Sequence, residues 1–402
     1  MYRVAITGQG TINCLGQSVP ETVAAMAEGR CGIGDLDILL RDRLSVRIGG
    51  QVRDFDPADH FERQQRSLYD RSVQFAIVAA TEALNQSGLD ISEALSPEVG
   101  VVLGSGCGGI QTLDQSYEAL YGQGKNRVHP LVIPRSMTNA ASSHVSMAWN
   151  LQGPCYSVST ACASSNHAMG QAFQLVRTGQ ARVMVTGGAE SMLCFGGIKA
   201  WEGLRVMSRD GCRPFCRTRN GMVQGEGAAV FVFEEFGHAE SRGAEILAEV
   251  VGFGMTADAS DIVLPDPKGA ARAIAGALRD AGTDSGSVGY INAHGTGTTA
   301  NDRSECVAVR LALGVAAETV MMSSTKSMHG HLIGGAGAVE LLACIAAVRD
   351  GIIAPTVGYR APDPECDLDV VPNTARQHPV RVALSNAFAF GGLNAVLAIR
   401  SV

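Results

Sequence analysis

Short apolar runs alternate along this chain with longer stretches of helical periodicity, a pattern that few architectures can absorb. The strand-like runs are Arg3–Gly8, Val99–Gly104, Cys155–Ser159, Ala181–Gly187, Ala228–Glu234, Ile246–Gly254, Val288–Ala293, Val320–Ser324, Arg381–Asn386 and Ala395–Arg400. Helical patterns fall at Pro20–Glu28, Arg71–Ser87, Ser136–Asn150, Ser164–Arg177, Gly269–Asp280, Arg303–Leu313 and Gly335–Arg349. Strands that are apolar on both faces, separated by helices, predict an α/β protein with mostly buried strands. The 48 glycines, set against 5% aromatics, add tight turns and close backbone approaches.

An internal echo refines this. Tyr156–Gly179 reads as a strand, Ser159-Thr160, small residues, then a helix ending Arg177-Thr178-Gly179. Val320–Gly351 reads as a strand, Ser324-Thr325, a glycine-rich turn, then a helix ending Arg349-Asp350-Gly351. Two such units predict duplicated halves, residues 1–250 and 251–402, against the competing reading of chance similarity. No low-complexity linker divides them.

Charge and cysteine usage exclude several function classes. A formal net charge of −7 argues against a nucleic-acid partner. Eleven cysteines without framework spacing, many in apolar or glycine-rich surroundings (Cys107, Cys155, Cys194, Cys306, Cys344), point to free thiols in a reducing compartment. The N-terminal MYRVAITGQG enters a strand directly, without a targeting pattern, and no run reaches the length of a membrane span. The expectation is a cytoplasmic protein.

Four stretches gather residues with chemistry. In Val158–Ser165 a strand ends, small residues turn, and a helix begins at Cys162; the helix dipole and free N–H groups there favour a thiolate. A buried structural cysteine is the plainer reading. In Asn292–Thr298, His294 lies past a strand on a Gly/Thr loop whose hydroxyls, Thr296 and Thr298, can bind a polar ligand; a histidine capping its own turn is the alternative. Ser324–His331 collects Lys326, His329 and His331 at a strand exit before an apolar helix containing Glu340. Polar groups in so apolar a stretch need partners, and His-x-His without nearby carboxylates or thiolates is a weak metal signal. In Asn386–Asn394, Phe388 and Phe390 beside a glycine pair read either as a mobile gate or as a hairpin with core phenylalanines. Two patterns are set aside. Gly104–Gly109 satisfies G-x-G-x-x-G, but no helix clearly opens there and no acid follows at the ribose spacing. Cys212 and Cys216 are four apart but lack a second ligand pair.

In this order the elements resemble the β-ketoacyl-acyl-carrier-protein synthase family, in particular the bacterial synthase II type, over essentially the whole chain from Arg3–Gly8 to Phe390–Asn394. The ordered set Cys162, His294, Lys326 and His331 carries the resemblance. It implies the thiolase fold, two similar halves in a five-layer α-β-α-β-α sandwich, in a homodimer that needs no cofactor and no metal. It makes Cys162 the nucleophile and His294 and His331 the pair at the second substrate's thioester, with Lys326 and Glu340 behind them. Phe390 becomes the gate, its N–H joining that of Cys162 in an oxyanion hole. Met222, Thr296, Thr298 and Phe388 line the substrate site, and Cys107 lies at the deep end of the acyl tunnel near the dimer interface. Arg63, Arg66 and Arg71 are the expected docking site for an acidic acyl carrier protein, against the plainer reading of a solvated face.

The chain also departs from the family pattern. Arg213–Met222 has Cys216 and Asn220 where two acids are usual, and Met222 where an aromatic is usual. Ala389 replaces a glycine in the gate, Leu393 and His329 replace threonines, and Cys107 replaces an isoleucine. These suggest a specialised branch, such as the rhizobial nodulation synthases. A thiolase would carry a second reactive cysteine near the C-terminus, whereas the last cysteine here is Cys366. A non-catalytic chain-length subunit would lack Cys162, and a cysteine hydrolase would leave the second histidine unexplained.

Overall fold

The computed structural model describes all 402 residues. The ten expected strands form one ten-stranded sheet: β1 (Val4–Asn13), β2 (Val99–Gly104), β3 (Cys155–Val158), β4 (Val183–Ser191), β5 (Glu226–Glu235), β6 (Ala248–Ala257), β7 (Val288–Asn292), β8 (Met321–Ser323), β9 (Val382–Ala389) and β10 (Leu393–Arg400). Six helices pack on it: α1 (Arg71–Ser87), α2 (Ala140–Trp149), α3 (Ser164–Arg177), α4 (Pro267–Ala281), α5 (Thr299–Leu313) and α6 (Ala336–Asp350). The spatial order is β8-β7-β9-β10-β6-β1-β5-β4-β2-β3. Read outward from the β1–β6 seam, each half has its strands in the sequence first, fifth, fourth, second, third. The parallel and antiparallel pairings also match one for one. The division expected after residue 250 falls inside β6, which opens the second half.

Strand residues alternate between two cores, as a period of two demands. Val101, Val183, Val185, Val230 and Val232 face α1 and α2 on the outside of the first half. Val102, Met184, Phe231 and Phe233 face inward to α3 and α6. Ile291, Leu384 and Val396 face α4 and α5 on the outside of the second half. The layers are therefore α1/α2, sheet, α3/α6, sheet, α4/α5. Residues 336–348 of α6 are buried on every side, which is why that helix reads as apolar all round.

Glycine explains how closely the layers approach. A Cβ on Gly8 or Gly10 of β1 would sit 2.1 or 2.0 Å from the carbonyl oxygens of Ala83 and Ala79 in α1. A Cβ on Gly252 or Gly254 of β6 would sit 2.3 or 2.1 Å from those of Ala277 and Ala273 in α4. The same two-glycine, two-alanine joint is thus built in both halves. No helix is long and apolar enough to cross a membrane.

Candidate active site

Cys162 and the histidine loops meet because the halves place equivalent strand exits face to face. Cys162 lies in the turn Ala161–Ala163 between β3 and α3. Ala161 there takes a left-handed φ of +49°, a strained turn that presents the next residue. The turn is held by Ser164 Oγ, which accepts the Thr160 N–H (2.9 Å) and donates to the Ala161 carbonyl (2.7 Å). Cys162 packs on the small residues Ala163, Ala387, Ala389 and Ala395. The expected thiolate is not the resting form. Burial pushes the thiol up to about 11, against the pull of Lys326 and of the backbone N–H groups of Phe390 and Cys162 itself.

His294 follows β7, and Glu305 of α5 fixes its loop by accepting the N–H groups of His294 (2.8 Å) and Gly295 (2.7 Å). His331 follows the short turn that carries Lys326. The two imidazoles meet edge to face, centroids 5.4 Å apart at 83°. Their protons are assigned by their partners. Lys326 Nζ lies 3.4 Å from His294 Nδ1, and the Ile333 N–H lies 3.2 Å from His331 Nδ1; both Nδ1 atoms therefore accept. Each ring keeps its proton at Nε2, and the buried Nε2 of His331 has no partner in the protein. Burial, and then the Lys326 charge, hold both rings well below the usual histidine range, so both are neutral. Lys326 is itself paired with Glu340 in the core.

Cys162, His294, His331, Met222, Thr296, Thr298, Phe388 and Phe390 line a single cavity. The Thr296 and Thr298 hydroxyls are 2.9 Å apart. Phe390 sits in the β9–β10 turn, which left-handed Gly391 (φ +83°) and Gly392 (φ +67°) make possible, and its ring stacks on Trp201 at 5.9 Å. Cys107 does not line this cavity. It packs behind it, in a cluster with Met192, Ile333 and the cavity residue Met222.

Other expectations shift. Arg71 is not a free docking residue. Its guanidinium bonds the Glu226 carboxylate at 2.9 Å and the Val52 carbonyl at 3.0 Å and lies over the Phe75 ring, so it is a structural cation. Arg63 is exposed, and neither it nor Arg66 takes part in an ion pair. His329 is buried and satisfied by the Gly330 carbonyl (2.7 Å) and the Thr325 hydroxyl (3.0 Å), a structural role. A helix does open after the Gly104–Gly109 loop, at Ile110, but the loop's N–H groups already hold the Glu190 carboxylate. Cys212 and Cys216 bond different partners, the Thr296 carbonyl and the Thr218 hydroxyl. Donor atoms of Cys162, His294 and His331 lie within 4.8 Å of one another, a spacing that could admit a metal ion. The protons at both Nε2 atoms instead present N–H donors to the cavity. Trp201, Val263, Leu264 and Asn301 also line the cavity and were not singled out in the sequence.

Comparisons with known proteins identify the relatives of the chain. The family model described as "Beta-ketoacyl synthase, N-terminal domain" matches residues 1–239, and the one described as "Beta-ketoacyl synthase, C-terminal domain" matches residues 247–360. The chain is 44% identical over 400 residues to "Nodulation protein E" of Rhizobium sp. (strain N33), covering 100% of this chain and 99% of that protein. It is 41% identical over 406 residues to "3-oxoacyl-[acyl-carrier-protein] synthase 2" of Synechocystis sp., covering 99% and 98%. A solved structure of a type II PKS acyl-carrier protein in complex with its ketosynthase superposes with a TM-score of 0.91, at 29% identity and 100% coverage of both chains.

Proposed function

The chain belongs to the β-ketoacyl synthase family, and from that premise we propose that Cys162, His294 and His331 carry its condensation chemistry. The enzyme is a 3-oxoacyl-[acyl-carrier-protein] synthase of the thiolase fold, an acyltransferase that forms a carbon–carbon bond between an acyl thioester and malonyl-acyl-carrier protein. The observation that carries the assignment is geometric: donor atoms of Cys162, His294 and His331 lie within 4.8 Å of one another on one cavity, and each imidazole turns its Nδ1 to a donor and its Nε2 away from it.

The steps follow from that placement. Cys162 Sγ attacks the acyl thioester, and the N–H groups of Phe390 and Cys162 hold the tetrahedral oxyanion. The carrier thiol leaves with the Cys162 proton. Malonyl-carrier enters, its Cα–carboxylate bond breaks, and carbon dioxide departs, leaving the electron pair as an enolate. The enolate oxygen accepts from Nε2 of His294 and His331. The Cα carbanion then attacks the Cys162 thioester, the C–S bond breaks, and the thiolate regains a proton from solvent. Lys326 and Glu340 keep Nδ1 of His294 an acceptor, and no step requires a metal or redox group. Cys366 is buried against Cys306, outside the cavity, which disfavours a thiolase that uses a second cysteine.

Finer readings go with this. The carrier protein docks at Arg63 and Arg66, the cations left free near the start of α1. The protein is a homodimer in the cytoplasm: β3 is a sheet edge with Tyr156 on it, Ile133, Met137 and Tyr121 are exposed large apolar side chains, and all eleven cysteines are free thiols. The test is mass spectrometry of the enzyme mixed with acyl-carrier thioester. Wild type gains one acyl group on Cys162, and Cys162→Ala gains none and condenses nothing. A Cys162→Ala enzyme that still condenses at the wild-type rate overturns the mechanism.

A further inference from the structure

The mechanism leaves one buried acid near the site unused. Glu190, at the end of β4, is fully buried and has no cationic partner; its carboxylate is held by neutral donors from both halves of the protein. From the first half come the Gly106 N–H to Oε2 (2.6 Å), the Cys107 N–H to Oε1 (3.3 Å) and the Ser105 hydroxyl (3.3 Å). From the second half comes the Gly334 N–H, also to Oε2, at 3.1 Å. The glycine-rich loop with the phosphate-binding pattern thus cradles the protein's own carboxylate, as a nest of N–H groups does for an anion. The approach is close enough to require glycine: a Cβ on Gly334 would lie 2.2 Å from the Gly106 nitrogen and 2.8 Å from Glu190 Oε2.

The two loops joined at this carboxylate border different parts of the site. Ser105–Gly108 carries Cys107, behind the acyl site. Gly334 belongs to the turn that sets His331, in which Ile333 takes a left-handed φ of +47° and donates its N–H to His331 Nδ1. A β-branched residue in that region is strained and must be held by its surroundings. The Gly334 peptide is held on both sides, by Glu190 at its N–H and by the Ser165 hydroxyl of α3 at its carbonyl. The turn thereby fixes which nitrogen of His331 faces the cavity.

We propose that Glu190 is a positioning residue that couples the two substrate steps, so that the length of the acyl group on Cys162 sets the rate of decarboxylation at His331. The proposal rests on the roles given above to Cys107 and His331. A chain long enough to press on the Ser105–Gly106 peptide displaces the Gly106 N–H, which is bonded to Oε2. Gly334 shares that oxygen, so the His331 turn responds.

The experiment uses Glu190→Gln in the full enzyme, preloaded on Cys162 with primers of increasing length. Acylation is read by mass spectrometry and decarboxylation by carbon dioxide release from malonyl-carrier. In the wild type the release rate varies with primer length. Gln offers one oxygen instead of two, so either the shared acceptor of the Gly106 and Gly334 N–H groups or the acceptor of the Cys107 N–H is lost; release falls about tenfold and no longer varies with length, while acylation by the shortest primer is unchanged. A purely structural role would lower release by the same factor at every primer length and would leave the length dependence in place. The pH profile of Cys162 alkylation is a check on the site, and it moves slightly to lower pH in the variant because the Glu190 charge that opposes the thiolate is gone. If Glu190→Gln fails to fold, Gly106→Ala tests the same joint, since its Cβ would meet Glu190 Oε2 and Ile333 at 3.0 Å each. A wild-type length profile kept in the variant, equal losses in acylation and release, or a wild-type release rate independent of length each overturn the coupling. A wild-type enzyme that neither acylates Cys162 nor releases carbon dioxide would instead overturn the proposed function.

Discussion

At His294 and His331 the Nδ1 partners do as much as the rings themselves, because they decide that a proton faces the cavity. His294→Ala or His331→Ala each removes one donor to the enolate, worth about 3–4 kcal/mol, or roughly 10²–10³-fold in rate. The expected loss falls on malonyl decarboxylation, with Cys162 acylation little changed; equal losses in both steps would reject the division of roles. His329→Thr is the contrasting case. His329 faces Thr325 and the Gly330 carbonyl rather than the cavity, so decarboxylation should stay near wild type while thermal stability falls through lost packing. Among these residues Cys162, His294, Lys326 and His331 were legible as an ordered series at strand exits, and Glu340 as an acid in the apolar helix behind them. Glu305 and Glu190 were not. An acid in a helix or at a strand end reads as a surface residue, and only the fold shows that each is buried and wrapped in N–H groups. At Cys162 the sequence shows the helix start but not the burial, and desolvation outweighs the local pull toward a thiolate.

All ten strands and seven helices expected from periodicity are present, with ends shifted by a few residues, because their apolar faces match the layers that bury them. Helices outside that list, such as Phe195–Gly203 with Trp201, lack a long periodic pattern and are placed by contacts with the cavity and the gate. Two predictions belong to elements. The loop after β2 packs Cys107 against Met192, Met222 and Ile333, so added bulk there should close the space behind Met222. Cys107→Ile should shorten the longest accepted primer and leave short-primer rates nearly unchanged. Each methylene is worth at most about 0.8 kcal/mol, so preference shifts gradually. A primer series with constant carrier and malonyl donor is the measurement, and an unchanged profile would remove Cys107 from the tunnel. The short helix Arg63–Leu68 holds the two free arginines of the proposed docking face. Reversing the charge of Arg63 and Arg66 together should raise KM for carrier-bound substrates with little change for small thioester mimics, an effect that weakens with salt. Equal effects on both substrate types would reject docking there. Arg71 reversal should instead destabilise the fold, because it leaves the nearly buried Glu226 unpaired.

At the scale of the molecule, the weak echo between Tyr156–Gly179 and Val320–Gly351 corresponds to β3–α3 and β8–α6, equivalent units of the two halves. The rest of the duplication was not legible because it is kept in topology and in glycine–alanine joints rather than in runs of similar residues. The two halves of the sheet join through a short seam, in which only Val4, Ala5 and Ile6 of β1 pair with Val250, Glu249 and Ala248 of β6. Three pairs are few for the join between two halves, and side chains supplement them. Glu249 on β6 accepts from Arg3, just before β1, at 2.8 Å, and from Arg400, at the end of β10, at 2.7 Å. Burial pushes the Glu249 carboxyl up, but the two guanidiniums pull it further the other way, leaving it below the ordinary carboxylate range. A carboxylate lowered by folding stabilises the protein above its unfolded pKa, and that stability is lost as pH falls through the folded value. Glu249→Gln should therefore cost about 1–2 kcal/mol at pH 7, a modest figure because Arg3 is half exposed and screened by solvent. The gap between wild type and variant, read from denaturant midpoints, should be full near neutrality and shrink below about pH 4. It should also narrow with added salt, which screens the exposed Arg3 more than Arg400. A gap that stays constant across that pH range would mean that shape and hydrogen bonding at Glu249, rather than its charge, hold the two halves at the seam.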